Sequence, residues 1–138
     1  MIQLFTDGAY SSRRDKAGSA YAFFSDGHIV NTFSTCICGV SNNFAELAAV
    51  ILAFNSIKAP IGDLILYSDS MYVLGCGFEG WRRGKNKDLW TIFDREWNRI
   101  QPFISSFKHV HVDGHQTGDS FEVNGNNLVD RLAVHAYE

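Results

Sequence analysis

The sequence predicts an α/β domain, a mixed sheet flanked by helices, and three observations predict it. Short apolar runs near the N-terminus are separated by turn signals. A stretch with apolar residues at i, i+3 and i+4 follows. Directly after it comes another strand-like run, "LILYSDSMYV" from Leu64 to Val73, so that strand, helix and strand succeed one another as in a right-handed parallel crossover. At 138 residues the chain is expected to form one domain over 1–138, long enough to bury its apolar surface without disulfide or metal staples.

Each element has its own warrant. Ile2 to Thr6 reads as the first strand. "SAYAFFS" (Ser19 to Ser25) and "HIVNTFSTCIC" (His28 to Cys38) read as the second and third, joined by the Asp26-Gly27 turn, which makes an antiparallel meander. A helix from near Asn43 to about Lys58 carries Leu47, Val50, Ile51, Phe54 and Ile57 on one face and is stopped by Pro60 and Gly62. After the Asp69 strand, a short helix is expected over Met71 to Gly75. A firmer one runs from about Asp88 to Gln101, with a stripe of Leu89, Ile92, Phe93, Trp97 and Ile100, and Pro102 ends it. A fifth strand is expected at Phe107 to Val112, a loop at Gly114 to Asn127, and a closing helix in "NNLVDRLAVHA" with Val129, Leu132, Ala133 and Ala136 on one face.

Composition narrows the function classes. A hydrophobic fraction of 46% with 20% charged residues is that of an ordinary soluble globule. The longest apolar run, "LAAVILAF", is far too short to span a bilayer, and no basic segment with an apolar core opens the chain. An intracellular, cytoplasmic protein with no membrane association is expected, with a monomer as the default. Cys36, Cys38 and Cys76 form no C-x-x-C pair and read as reduced, packed thiols. The formal net charge of -3 exerts no global pull on nucleic acid, yet positive charge concentrates in "RRGKNK" (Arg82 to Lys87) and "RRDK" (Arg13 to Lys16). A solvated basic loop is the plain alternative for each.

Acids placed at the ends of apolar runs carry the chemical signal. Asp69 ends the strand in "LILYSDSMYV", and Asp7 ends the one in "IQLFTDGAY". In open α/β sheets, sites lie at the carboxyl ends of parallel strands where the strand order reverses. If the first and fourth strands are neighbours, the two carboxylates lie within a few ångströms. Mutual repulsion then raises one pKa strongly unless a cation is present. For either residue alone, a strand-end turn or helix cap is the plain reading. Glu46 has a competing role too, because Asn43 followed three residues later by Glu46 fits a capping box. It also sits at the edge of the face that packs on the sheet. Asp130 lies beside the apolar stripe of the last helix, where a solvated helix residue is the default.

In these settings the four acids resemble the type 1 ribonuclease H family. The matching pieces are "FTDGAY", "SNNFAEL", "YSDSMYV", and "GH" followed by "NNLVDRLA", in order along nearly the whole chain. The resemblance implies a ribonuclease H-like fold with a five-stranded mixed sheet. It also implies an endonuclease that cuts the RNA strand of RNA/DNA hybrids with two Mg2+ ions, Mn2+ being the alternative, leaving 5'-phosphate and 3'-hydroxyl ends. By position it makes Asp7, Glu46, Asp69 and Asp130 the metal ligands and His115 an aid to proton transfer or product release. Asn42 and Asn43 would reach base edges and sugars in the minor groove, and Trp81, Lys85 and Lys87 would meet the DNA strand. The sequence departs from the family's pattern in the turn after "TDG", where "SSRRDKAG" replaces a glycine-rich segment, and in having only "RRGKNK" where many bacterial members carry a basic helix and loop.

Two other readings compete. "HVHVDGH" (His109 to His115) approaches the zinc signature of metallo-β-lactamase-like hydrolases, but Gly114 breaks its spacing and the chain is too short for that fold. A non-catalytic hybrid-binding module of the same fold is the second. A pure binder, however, has no reason to gather negative charge where phosphate must lie.

Overall fold

The computed structural model describes residues 1–114 and 116–138. Strands β1 (Ile2–Ser11), β2 (Lys16–Ser25) and β3 (His28–Cys38) form the antiparallel meander. Helix α1 (Asn42–Asn55) crosses to β4 (Gly62–Ser68). Helices α2 (Met71–Phe78) and α3 (Lys87–Ile100), with a 3-10 turn at Gln101–Phe103, lead to β5 (Ile104–His111), and α4 (Phe121–Tyr137) closes the chain. The sheet order is β3-β2-β1-β4-β5, with β1 antiparallel to β2 and parallel to β4. This is the five-stranded mixed sheet with flanking helices expected from the sequence.

Alternation along β1 divides the core in two. Leu4 points to one face, where Leu47, Val50 and Phe54 of α1 and Trp90 and Phe93 of α3 bury it. Phe5 points to the other, against Phe24, Tyr67, and Val129 and Ala133 of α4. On that second face Phe5 stacks on Tyr67 with ring centroids 4.5 Å apart. A β-carbon on Gly125 would enter the Phe5 ring, so only glycine lets α4 approach β1 this closely.

Several boundaries differ from the sequence reading, each for a physical reason. Strand β1 runs on to Ser11, because its pairing with β2 continues through Ala9, Tyr10 and Ser11 after β4 has ended at the Thr6–Ser68 pair. Asp7 therefore lies within β1, level with the end of β4, and not at a strand end. Helix α1 begins at Asn42 because the Ser41 hydroxyl accepts from the Phe44 amide at 3.1 Å. That hydroxyl is the N-cap, so Asn43 and Glu46 do not form a capping box. Helix α2 continues to Phe78, and β5 starts at Ile104. Helix α4 begins at Phe121, capped by the Ser120 hydroxyl on the Val123 amide at 3.2 Å, so much of the expected loop is helical. The three cysteines are free, but only Cys76 is packed; Cys36 and Cys38 are exposed on β3. No helix among the described residues is long and apolar enough to cross a membrane.

Candidate active site

Three elements bring the acids together. Strand β1 supplies Asp7, and its next residue sets the distance to α1. A β-carbon on Gly8 would fall on the backbone of Ala45 and Glu46, so the start of α1 can lie directly on β1 only because Gly8 has none. Ser19 fixes the same approach from β2 by donating its hydroxyl to the Ala45 carbonyl at 2.7 Å. Glu46 is thereby delivered to Asp7. The Gly8 amide donates to both carboxylates, to Asp7 Oδ1 at 2.9 Å and to Glu46 Oε1.

Asp69 arrives from the turn between β4 and α2. Ser68 and Ser70 shape that turn: the Ser70 amide donates to the Ser68 hydroxyl at 3.0 Å, and the Ser70 hydroxyl caps α2 through the Val73 amide at 3.1 Å. A ring nitrogen of His111 lies 3.3 Å from the Asp69 carbonyl. Gly114 passes so near that a β-carbon there would sit 3.0 Å from Asp69 Oδ2. The Asp7, Glu46 and Asp69 carboxylates offer oxygens that all lie within 4.8 Å of one another. Asp130, from the other face, lines the same cleft and hydrogen-bonds with Asp7.

The electrostatics of this cluster are those of uncompensated charge. Asp7 is 3% exposed and Glu46 6%. Burial, then the neighbouring Glu46 carboxylate, drive the Asp7 pKa far above the carboxylate range. Burial raises Glu46 to about 7, opposed by its bond with Asp7 and reinforced by Asp69. The two carboxylates therefore titrate as a pair. Among the described residues no lysine or arginine lines the cleft. Hard carboxylate oxygens packed together, without a cation from the protein, suit a divalent ion such as Mg2+.

The cleft has a volume of about 520 Å³, and Asn42 and Asn43 at the start of α1 form part of its rim. Trp81, Lys85 and Lys87 do not line it. Trp81 and Lys85 belong to the segment between α2 and α3 and Lys87 opens α3, with Trp81 laid against Gly75, where a β-carbon would enter its ring, and the two lysines exposed. The expectation for His115 falls outside the described residues. His109 stacks on Phe78 with centroids 5.4 Å apart. Among the described residues, the acids form the sole cluster fit for a metal ion.

Tyr72 went unread in the sequence although it lies inside "YSDSMYV". It lines the cleft, and its hydroxyl accepts from Trp90 Nε1 at 2.9 Å and from Asn86 Nδ2 at 3.1 Å. This couples the cleft wall to the basic segment. Arg83 anchors the same segment by donating to the Cys76 carbonyl at 2.9 Å and to Asp94 at 2.7 Å, with its guanidinium 4.4 Å over Trp90. Helical spacing places Tyr72 near Asp69, but only the tertiary partners reveal its task.

Comparison with known proteins agrees with this arrangement. The family model described as RNase H matches residues 1–138. The chain is 38% identical to the ribonuclease H of Chlorobium luteolum over 144 residues, covering 99% of this chain and 95% of that protein. It is 30% identical to the ribonuclease H of Thermoanaerobacter sp. over 143 residues, covering 97% and 88%. Among solved structures, RNase H1 of the halophilic archaeon Halobacterium salinarum superposes with a TM-score of 0.75 at 24% identity, covering 98% of this chain and 96% of that one. LC11-RNase H1, solved in complex with an RNA/DNA hybrid, gives 0.77 at 20% identity, covering 99% and 96%. With its fold, its ordered motifs and a match along its full length, the chain belongs to the RNase H family.

Proposed function

We propose that this chain is an endonuclease that hydrolyses the RNA strand of RNA/DNA hybrids with two bound divalent cations, leaving 5'-phosphate and 3'-hydroxyl ends. The observation that carries the reading is the meeting of Asp7, Glu46 and Asp69 within 4.8 Å in a cleft that Asp130 also lines. Family membership and the hybrid bound by a protein of the same fold support the substrate.

The four carboxylates would hold the ions, Asp7 and Glu46 from the buried floor and Asp69 and Asp130 from the two sides. A pair of divalent ions held there would supply an activated water and stabilise the departing 3'-oxygen. The protein's task is to keep the acids ionised and fixed. Gly8 holds two of them through one amide, and the serine-capped turn holds Asp69. Asn42 and Asn43 face the minor groove from the rim, where the 2'-hydroxyl separates RNA from DNA. Trp81, Lys85 and Lys87 meet the DNA strand. His115 carries protons or frees product. The 138 residues act as one catalytic domain, monomeric and cytoplasmic.

Incubation of labelled RNA/DNA hybrid, duplex RNA and duplex DNA with the purified protein, with and without Mg2+, tests the assignment. Cleavage of RNA in the hybrid alone, lost in chelator and in Asp69→Asn, is expected. Equal cutting of all three duplexes, or full activity in chelator, would refute it.

A further inference from the structure

We propose that the β1–β2 turn, carrying Arg13, Arg14 and Lys16, is a second phosphodiester-binding site, which grips the scissile strand several nucleotides from the cut. The proposal rests on the hybrid-nuclease reading above and adds to it a contact made by this chain's own turn.

The geometry begins with the extra length of β1. Its pairing with β4 ends at Thr6, but with β2 it continues to the Ser11–Lys16 pair. The hairpin therefore projects past the acids as a ribbon edged by β3, which stays paired with β2 as far as Lys16–Cys38. At about 3.3 Å per residue, Ser11 stands roughly 13 Å beyond Asp7. Tyr10, on this ribbon, and Tyr137, at the end of α4, both line the cleft that holds Asp7. The cleft wall thus runs without a break from the acids to the foot of the turn.

The turn is built to present cations. Residues 12–16 are all exposed. Asp15, the lone acid among them, adopts a left-handed conformation with φ 48° and accepts from the Tyr10 hydroxyl at 3.1 Å, which draws it back along the ribbon. Arg14 donates to the Tyr137 carbonyl at 3.4 Å and ties the turn to α4. Among the described residues Arg13 and Lys16 form no ion pair. Cations left unpaired at the end of a cleft floored by acids, in a chain of formal net charge -3, match a phosphate backbone leaving the acidic centre.

The strand follows from the same layout. The opposite wall of the cleft is Ser70, Met71 and Tyr72, and Tyr72 is bonded to the segment that bears Lys85 and Lys87. That segment faces one backbone of the duplex, while the strand cut at the acids leaves past Tyr10 toward the turn. The two basic runs thus serve the two strands, one on each side of the cleft.

The test compares wild type with Arg13→Gln/Lys16→Gln, which leaves the Arg14–Tyr137 contact in place, on hybrids of graded length and over a salt series. The expected result is a KM raised about threefold to tenfold at low salt with kcat retained, and a salt slope of log KM reduced by about 1 to 2. Trimming the duplex on one side of the cut should erase the difference; trimming the other side should preserve it. An unchanged KM and slope in the variant, with wild type still cutting hybrid, would overturn the turn's role and leave the nuclease reading standing. A wild type that cuts no hybrid would overturn both. Equal loss on every length, with kcat lowered, would mean a structural effect and also overturn the proposal.

Discussion

Two glutamates on helices, Glu46 in α1 and Glu96 in α3, are each 6% exposed, yet their surroundings are opposite. Glu96 accepts from Asn55 Nδ2 at 2.7 Å and from Arg99 Nε at 2.5 Å. Arg99 goes on to bond the Phe54 and Ile57 carbonyls, each at 2.9 Å, at the C-terminal end of α1. The bond from Arg99 holds the Glu96 pKa below the usual range. Glu46 has one amide and a set of acids, and its pKa rises. A buried carboxylate with a cation and an amide is cement for a helix end. One surrounded by its own kind opposes folding and persists where a ligand needs it.

Substitution should separate the two most sharply in activity. Asp7→Asn, Glu46→Gln and Asp69→Asn should each lower hybrid cleavage by at least about 10³-fold, roughly 4 kcal/mol. Glu96→Gln should leave kcat within about threefold, because it touches nothing in the cleft. A single-turnover assay with Mg2+ reads both; a Glu46→Gln variant with near-normal turnover would end the distinction.

Gly8→Ala sharpens the comparison by moving Glu46 without altering it. The added methyl falls on the Ala45–Glu46 backbone. We expect activity to drop about 100-fold and stability by about 2 kcal/mol from overpacking, read by kinetics and urea unfolding. Stability alone should rank the glutamates in reverse order. Glu96→Ala should cost about 2 to 3 kcal/mol, because it leaves Asn55 and Arg99 without their acceptor. Glu46→Gln should raise the metal-free melting temperature by a few degrees, as roughly 1 kcal/mol of repulsion is removed.

The smallest effect is on pH dependence, and its sign follows from the shifts. Asp7 and Glu46 bind protons more tightly folded than unfolded, so they stabilise the metal-free protein at low pH. That contribution is lost as pH rises from the ordinary carboxylate range through about 7. Glu96 has the opposite sign, stabilising above its unfolded pKa of 4.5 and weakening below it. The metal-free melting temperature should therefore decline between pH 5 and pH 8, and Mg2+ should remove most of the decline. A flat metal-free profile over that range would deny the raised pKa values.

Sequence carried some of this and lost the rest for identifiable reasons. The fold was legible because Leu4 and Phe5 alternate between two cores and because α1 keeps its apolar spacing. The continuation of β1 through Gly8 to Ser11 was not, since a hairpin ladder stabilises those residues and no apolar pattern marks them. The first turns of α4 read as loop because Gly125 and its neighbouring asparagines are poor helix formers. Gly125 is there for the Phe5 ring, a tertiary demand that overrides propensity. The acids were picked out through ordered motifs, whereas nothing in the sequence distinguished Glu96, whose partners are a helix turn and a whole element away. Asn43 suggested a cap for Glu46, and Ser41 took that role instead.

The central claim is that the acids of the cleft jointly hold divalent cations. Anomalous diffraction from crystals grown with Mn2+ tests it most directly. Peaks bridging Asp7 and Glu46 and touching Asp69 or Asp130, lost in crystals of Glu46→Gln, are the predicted result. Saturating Mn2+ that leaves this cleft without a peak while the four carboxylates keep their places would contradict the account.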